Sequence, residues 1–238
     1  MNLIDIVIVG SFVSLVGTMV GASLGVIIRE PSDKFLGFII GFAGGIMLSV
    51  VVFDLIPQSV EKWNFGLTVI FAVLGIAVIS IIDAKVNINS SNKHMKMAFM
   101  ASLGLMIHNF PEGIIMGFGF AGGSTLGLKM SIIIAIHDIP EGIAVSAPLM
   151  ASKVKIPKIL FYAFITASPT VLGTFSGTYI ANISQDVLGA CLSMASGIML
   201  YVVCGEMIPE SSKLWEGITS TFGTLCGIIL GLVIVWVL

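Results

Sequence analysis

Long apolar runs separated by short polar segments make up most of the chain. Residues 6–28, 35–53, 64–82, 159–185, 187–205 and 217–238 carry no charge, and 97–128 and 130–152 are apolar except for a few charged or His residues. About 20 mostly apolar residues are enough for a helix to cross a bilayer. A transmembrane β-barrel would instead show short segments of alternating hydrophobicity. The pattern therefore predicts eight transmembrane helices, numbered here as spans 1 to 8 in chain order.

Composition agrees with a membrane protein and excludes several other classes. Hydrophobic residues are 57% of the 238 residues, charged residues are 10%, and the mean hydropathy is +1.10. A soluble domain carries about 25% charged residues. A soluble enzyme and a nucleic-acid-binding protein are therefore excluded, and the net charge of −2 points to no polyanionic partner. We expect one all-α integral membrane domain over 1–238, with the lipid bilayer as its surroundings.

Two segments of the chain are repeats of each other. Residues 45–59 read GIMLSVVVFDLIPQS and residues 197–211 read GIMLYVVCGEMIPES, with nine of fifteen positions identical. They end spans 2 and 7, which are separated by an odd number of spans and so cross the membrane in opposite directions. Opposite direction is the signature of an inverted-topology repeat, a common plan for transporters with a site at the midplane.

A second repeat lies between them, in spans 4 and 5. HNFPEG occupies 108–113 and HDIPEG occupies 137–142. Neighbouring spans also run in opposite directions. The predicted layout is a 3+2+3 arrangement, in which spans 1–3 and 6–8 form the inverted repeat around the central spans 4 and 5.

The distribution of Lys and Arg predicts the orientation. Nine of these residues fall in the connections after spans 1, 3, 5 and 7, and only Lys62 and Lys129 fall on the other side. Because the positive side faces the cytoplasm, we expect a multi-pass protein of the cell membrane with both termini extracytoplasmic.

Glycines recur every four residues in three of the predicted spans. Four-residue spacing keeps them on one helix face and lets helix backbones approach closely. This face serves packing within the protomer or between two protomers, so a homodimer is possible. The positions are Gly17, Gly21 and Gly25; Gly37, Gly41 and Gly45; and Gly223, Gly227 and Gly231.

The chemistry is concentrated in spans 4 and 5. In each of these helices a His and a Glu are four residues apart and so share a face, with an Asn or Asp directly after the His. Two such helices side by side offer two imidazoles, three carboxylates and one amide. These six residues are His108, Asn109, Glu112, His137, Asp138 and Glu141.

Charged groups at this depth require a positive partner. One charged residue at a helix centre costs roughly 2.5–3.5 kcal/mol, and 97–128 and 130–152 contain no Arg or Lys. Protons or a metal ion remain as the partner, and mixed imidazole and carboxylate ligation suits Zn, Fe, Mn and related divalent ions. Two alternatives use the same cluster: an intramembrane metalloenzyme, and a non-metal carrier or proton channel. Against the enzyme, the residue after each His is Asn109 or Asp138 and not the Glu of an HExxH zinc protease.

The paired motifs in adjacent central spans resemble the ZIP family of divalent-metal transporters. The chain is most similar to the bacterial branch of that family, because its connection over 83–96 is short and not His-rich. The resemblance implies movement of a divalent metal towards the cytoplasm, with Zn²⁺ first and Fe²⁺, Mn²⁺ or Cd²⁺ next, with no catalytic residue and no resident cofactor. It also implies a metal held between spans 4 and 5 by His108, Asn109, Glu112, His137, Asp138 and Glu141, with Met47 as a further ligand in some members.

One position departs from the pattern of the bacterial members. These often carry a Glu directly before a Pro in span 6, where it helps to hold a second metal, and here the pair is Ser168 and Pro169. A hydroxyl replaces a carboxylate poorly, so we expect one principal metal. For Asp54 and Glu206, beside Pro57 and Pro209, two interpretations stay open: interfacial carboxylates near helix ends, or residues along the metal pathway, which the resemblance implies for Glu206.

Overall fold

Helices connected by short turns form the described parts of the chain. The computed structural model describes residues 3–27, 32–85, 93–121, 123–180, 185–215 and 217–237. The helices, numbered in chain order, are α1 (Leu3–Ile27), α2 (Asp33–Val50), α3 (Ile56–Lys62), α4 (Phe65–Lys85), α5 (Lys93–Ala121), α6 (Ser124–Ala151), α7 (Ile156–Ala167), α8 (Pro169–Ile180), α9 (Gln185–Tyr201), α10 (Ile208–Leu214) and α11 (Ile218–Val237).

The structure is an all-α protein of the multi-pass membrane type. Within the described ranges, seven helical segments are long and apolar enough to cross a bilayer. The predicted span 4 lies on α5, which has 29 residues but is not among these seven segments. Its motif residues His108, Asn109 and Glu112 lower its mean hydropathy. The finer layout of eight spans arranged 3+2+3, and the extent of one domain over 1–238, stay predictions.

Spans 2 and 7 are longer than their uncharged stretches indicated. A π-helical segment, Val51–Leu55, joins α2 to α3, and a second one, Val202–Met207, joins α9 to α10. Both segments lie at the same place in the 15-residue repeat, and each contains its acidic residue, Asp54 or Glu206. π-Helical turns inside α-helices often mark functional positions. Each carboxylate lies within a continuous helical segment, since seven more helical residues follow each π-helical segment. The interfacial and the pathway interpretations of these two residues both stay predictions.

The turn between spans 4 and 5 also lies elsewhere than predicted. It falls at Gly123, whose φ of 138° favours glycine, and α6 begins at Ser124. Lys129, which we expected in this connection, therefore lies in the second turn of α6. The prediction placed this connection at the charged Lys129, whereas the residues next to Gly123 are uncharged glycine, serine and threonine.

Glycines let the helices pack in close pairs. A Cβ on Gly21 of α1 would overlap the carbonyl oxygen of Ile139 in α6, and a Cβ on Gly142 of α6 would overlap that of Thr18 in α1. Such contacts mean that the two backbones touch. The other close pairs are α5 with α8, through Gly113 and Gly173; α2 with α11, through Gly45 and Gly227; and α4 with α9, through Gly75 and Gly197.

The four close helix pairs follow the predicted inverted repeat, which exchanges them two by two. An inverted repeat that relates spans 1–3 to 6–8, and span 4 to span 5, converts the pair α1 and α6 into α8 and α5. It likewise converts α2 and α11 into α9 and α4. The predicted packing role of the glycine stripes is confirmed within the protomer. Because these faces are occupied inside the chain, a homodimer would use another surface, and it stays a prediction.

Candidate metal site

Three buried side chains meet where α5 packs against α6. His108 and Glu112 are one turn apart on α5, and Glu141 faces them from α6; their exposed fractions are 0%, 2% and 2%. The Nε2 atom of His108 lies 3.2 Å from Oε1 of Glu141 and 3.7 Å from Oε1 of Glu112. Within the described residues this is the one group of three His, Cys, Asp or Glu side chains whose ligand atoms all lie within 4.8 Å of one another.

These distances suit a small divalent cation. Zinc binds imidazole nitrogen and carboxylate oxygen at about 2.0–2.2 Å, so two ligands of a tetrahedral ion are about 3.4 Å apart. The two measured separations lie on either side of that value. A cation bound by one imidazole and two carboxylates would also be the positive partner that these buried carboxylates require at this depth.

Asp138, the second residue of the α6 motif, is tied to span 1. The Ser14 hydroxyl on α1 donates a 2.6 Å hydrogen bond to Oδ2 of Asp138, and both side chains are buried. Asp138 therefore lies beside the three-residue cluster, with one of its two oxygens engaged by a neighbouring helix. A hydrogen bond to a charged acceptor is among the stronger ones in proteins, so this contact fixes the orientation of the carboxylate.

Asn109, its counterpart on α5, is tied to span 6. Its Nδ2 donates a 2.8 Å hydrogen bond to the carbonyl oxygen of Thr166. This acceptor is near the end of α7, in the last turn before Pro169 starts α8, where helix carbonyls lack their usual partner. With Nδ2 so engaged, Asn109 keeps its Oδ1 as a buried oxygen with no hydrogen-bond partner among the described residues.

The predicted residues thus fall into three groups. His108, Glu112 and Glu141 come together, and Asn109 and Asp138 are held beside them by α7 and α1. Met47 is buried among the apolar residues of the core, and its role as a ligand stays a prediction. His137 is on α6, one turn before Glu141, but its side chain lies outside the described residues.

Sequence reasoning missed Ser14 and Thr166. Both belong to stripes of small hydroxylated residues, which form a recognisable signal. Span 1 places Ser11, Ser14 and Thr18 on one buried face. Span 6 places Thr166, Thr170, Thr174 and Thr178 four residues apart, all of them buried. Hydroxylated residues on a helix face in the membrane often bond to a neighbouring helix.

Ser168 and the two acidic residues of the long repeat have local partners. The Ser168 hydroxyl donates to the carbonyl of Ile165. Asp54 accepts a hydrogen bond from Gln58. On the other repeat, the Tyr201 hydroxyl donates a 2.6 Å bond to Asp83 of α4, and the half-buried Glu206 lines a small cavity together with both residues.

Comparison with known proteins identifies relatives along most of the chain. Residues 87–235 match the family model described as ZIP Zinc transporter. Proteins named "Zinc transporter ZupT" from Salmonella paratyphi A and Salmonella newport are each 25% identical to the chain, and the one from Salmonella heidelberg is 26% identical. Each alignment covers 92% of the chain and 91% of the relative.

The family match covers more than half of the chain and includes both HNFPEG and HDIPEG. It concerns transporters of divalent metal and not enzymes, which decides against the intramembrane metalloenzyme. Together with the apolar helices and the buried His and Glu cluster, it makes this chain a member of the ZIP zinc transporter family.

Proposed function

We propose that this protein carries Zn²⁺ through the membrane into the cytoplasm by way of the cluster of His108, Glu112 and Glu141. The observation that carries the proposal is the meeting of one imidazole and two carboxylates, all buried, from two helices in the middle of the chain. The relatives named as zinc transporters favour zinc as the substrate. Fe²⁺, Mn²⁺ and Cd²⁺ are further candidates, because the ligand types suit them as well.

The wider ligand set includes the remaining motif residues. Asn109 and Asp138 lie beside the cluster, and His137 is one turn before Glu141 on α6. Met47 is the seventh proposed ligand. We expect one principal metal, since the Ser168 hydroxyl donates to the carbonyl of Ile165 in α7 and offers no carboxylate for a second metal.

Transport requires the site to open to each side of the membrane in turn. We expect eight spans arranged 3+2+3, both termini outside the cytoplasm, and a location in the cell membrane. A movement of α5 and α6 alone against the other helices would conflict with the packing. The backbone of α6 touches α1 and that of α5 touches α8, so we propose that span 1 and span 6 move together with the two central helices.

Uptake of radioactive Zn²⁺ into vesicles containing the purified protein tests the function. Glu112→Ala and Glu141→Ala should each abolish uptake while the protein still reaches the membrane. Glu210→Ala is the matched control, since Glu210 pairs with the exposed Lys213 on α10, and it should transport normally. Competition by unlabelled Fe²⁺, Mn²⁺ and Cd²⁺ ranks the substrates. Normal uptake by both Glu112→Ala and Glu141→Ala would refute the assignment of the site.

A further inference from the structure

A hydrogen bond between Ser14 and Asp138 connects the outer helix α1 directly to a proposed ligand. Oγ of Ser14 is 2.6 Å from Oδ2 of Asp138, and each side chain is 1% exposed. The two residues are 124 positions apart in the chain and on different helices. Water therefore has little access to this carboxylate oxygen, and the hydroxyl of Ser14 takes the place of solvent there.

The backbones on either side hold this bond in place. Gly17, one turn after Ser14 on α1, lies against the backbone of Ala135, one turn before Asp138 on α6. Gly21, the next glycine along, lies against Ile139. Helices in backbone contact cannot slide or rotate against each other without overlap, so Ser14 and Asp138 keep their relative position.

An engaged oxygen limits how a carboxylate binds a metal. Large divalent cations that take six or more ligands accept carboxylates through both oxygens, whereas four-coordinate zinc needs only one. Resting on the proposed function, we propose that Ser14 is a specificity-determining residue of the transport site: it holds Oδ2 of Asp138 and so restricts this carboxylate to one-oxygen binding, which favours Zn²⁺ over cations of higher coordination number such as Mn²⁺.

The other central helix has a matching arrangement. Asn109 stands where Asp138 stands in the motif, and Thr166 of span 6 accepts a hydrogen bond from its Nδ2. An amide held in this way also offers a single oxygen. In each case a side chain at this motif position is held by a neighbouring helix, Asp138 by α1 and Asn109 by α7.

The ratio of Mn²⁺ to Zn²⁺ uptake by proteoliposomes, each measured as Vmax/KM, tests the proposal. Ser14→Ala removes the donor and lets Asp138 use both oxygens, so the ratio should rise by about tenfold, the low end for one hydrogen bond to a charged group. Ser11→Ala is the matched control. It removes a hydroxyl from the same buried face of α1, one turn away, where the hydroxyl has no hydrogen-bond partner among the described residues. Its ratio should equal that of the unaltered protein.

Two further variants connect the effect to the carboxylate. In purified protein, Ser14→Ala should change the ratio of Mn²⁺ to Zn²⁺ affinities, and the same substitution added to Asp138→Asn should change it no further. Ser14→Cys, with a weaker donor of similar volume, should shift the ratio in the same direction by less, and it carries the test should Ser14→Ala not reach the membrane. An unchanged ratio in Ser14→Ala and Ser14→Cys, or an equal shift in Ser11→Ala, overturns the role of Ser14. Absence of transport in the unaltered protein would instead count against the proposed function.

Discussion

Nε2 of His108 is closer to Glu141 on the neighbouring helix, at 3.2 Å, than to Glu112 on its own helix, at 3.7 Å. The imidazole therefore lies between the two carboxylates and joins α5 to α6. A cation at this point would be bound by the imidazole and both carboxylates together. The geometry makes His108 the central residue of the cluster.

Replacement of His108 by Gln should weaken Zn²⁺ binding strongly. An amide is a poorer zinc ligand than imidazole, and we expect the Kd to rise by at least about tenfold, in line with losses at metal sites. Titration of purified protein against a fluorescent zinc chelator measures the change. Thr68→Ala, which removes a buried hydroxyl on α4, is the control and should leave the Kd unchanged. A Kd within twofold in His108→Gln would contradict the central role of His108.

Acid should release the metal. The ligands bind a cation only when deprotonated, so protons compete with Zn²⁺ for the imidazole and the carboxylates. Affinity is therefore higher at neutral pH than in acid and falls as the pH is lowered. Chelator titrations at a series of pH values should show this fall in the unaltered protein, and a flatter dependence in His108→Gln, which has lost one competing site. Equal slopes for the two proteins would mean that His108 is not a ligand.

The sequence was sufficient to predict the apolar helices and the shared face of His108 and Glu112, because each depends on a local pattern. Apolar length marks a span, and spacing of four places His108 and Glu112 on one face. The π-helical segments, by contrast, add about one residue to a helical turn. The apolar residues around Asp54 and Glu206 carry no pattern that predicts a π-helical turn. The turn at Gly123 was missed for a different reason: the prediction followed the charge of Lys129 and not the Gly-Gly-Ser-Thr sequence at 122–125, which is typical of a turn.

Contacts between distant helices were beyond the reach of spacing rules. Ser14 and Thr166 act on motif residues 124 and 57 positions away, and only the pairing of the helices brings them there. The glycine stripes predicted that close pairs exist, but they could not show which helix pairs with which. That pairing decides that α1 stands behind Asp138 and that α7 stands behind Asn109.

A carboxylate at position 168 should create a second metal site. Ser168 lies at the break between α7 and α8, two residues after the carbonyl that binds Asn109. Ser168→Glu adds an acidic ligand there, and we expect the zinc content of the purified protein to rise from one to two ions, measured by elemental analysis. Ser168→Gln has nearly the same size without the charge and should keep one ion. Two ions in the unaltered protein would refute the prediction of a single principal metal.

Loss of the Tyr201 hydroxyl should loosen the contact between α4 and α9. This hydroxyl donates to Asp83 at 2.6 Å, and a hydrogen bond to a charged group contributes about 1.5–3 kcal/mol. Tyr201→Phe should therefore lower the unfolding temperature in detergent. Tyr179→Phe, at an exposed position on α8, should not. An unchanged unfolding temperature in Tyr201→Phe would mean that the contact adds no stability.

A methyl group at Gly142 should separate α1 from α6 and impair transport. A Cβ there would overlap the carbonyl oxygen of Thr18, and overpacking of this kind typically costs about 1–3 kcal/mol. Because Gly142 directly follows Glu141 and lies one turn from Asp138, relief of the overlap would shift both residues. Gly142→Ala should thus lower the unfolding temperature and also reduce Zn²⁺ uptake. Gly66→Ala is the control, because its Cβ would meet only Asn64 Oδ1, at an ordinary distance of 3.5 Å. Unaltered stability and uptake in Gly142→Ala would show that the close approach of α1 and α6 is not needed, and would remove the packing argument that span 1 moves with the site.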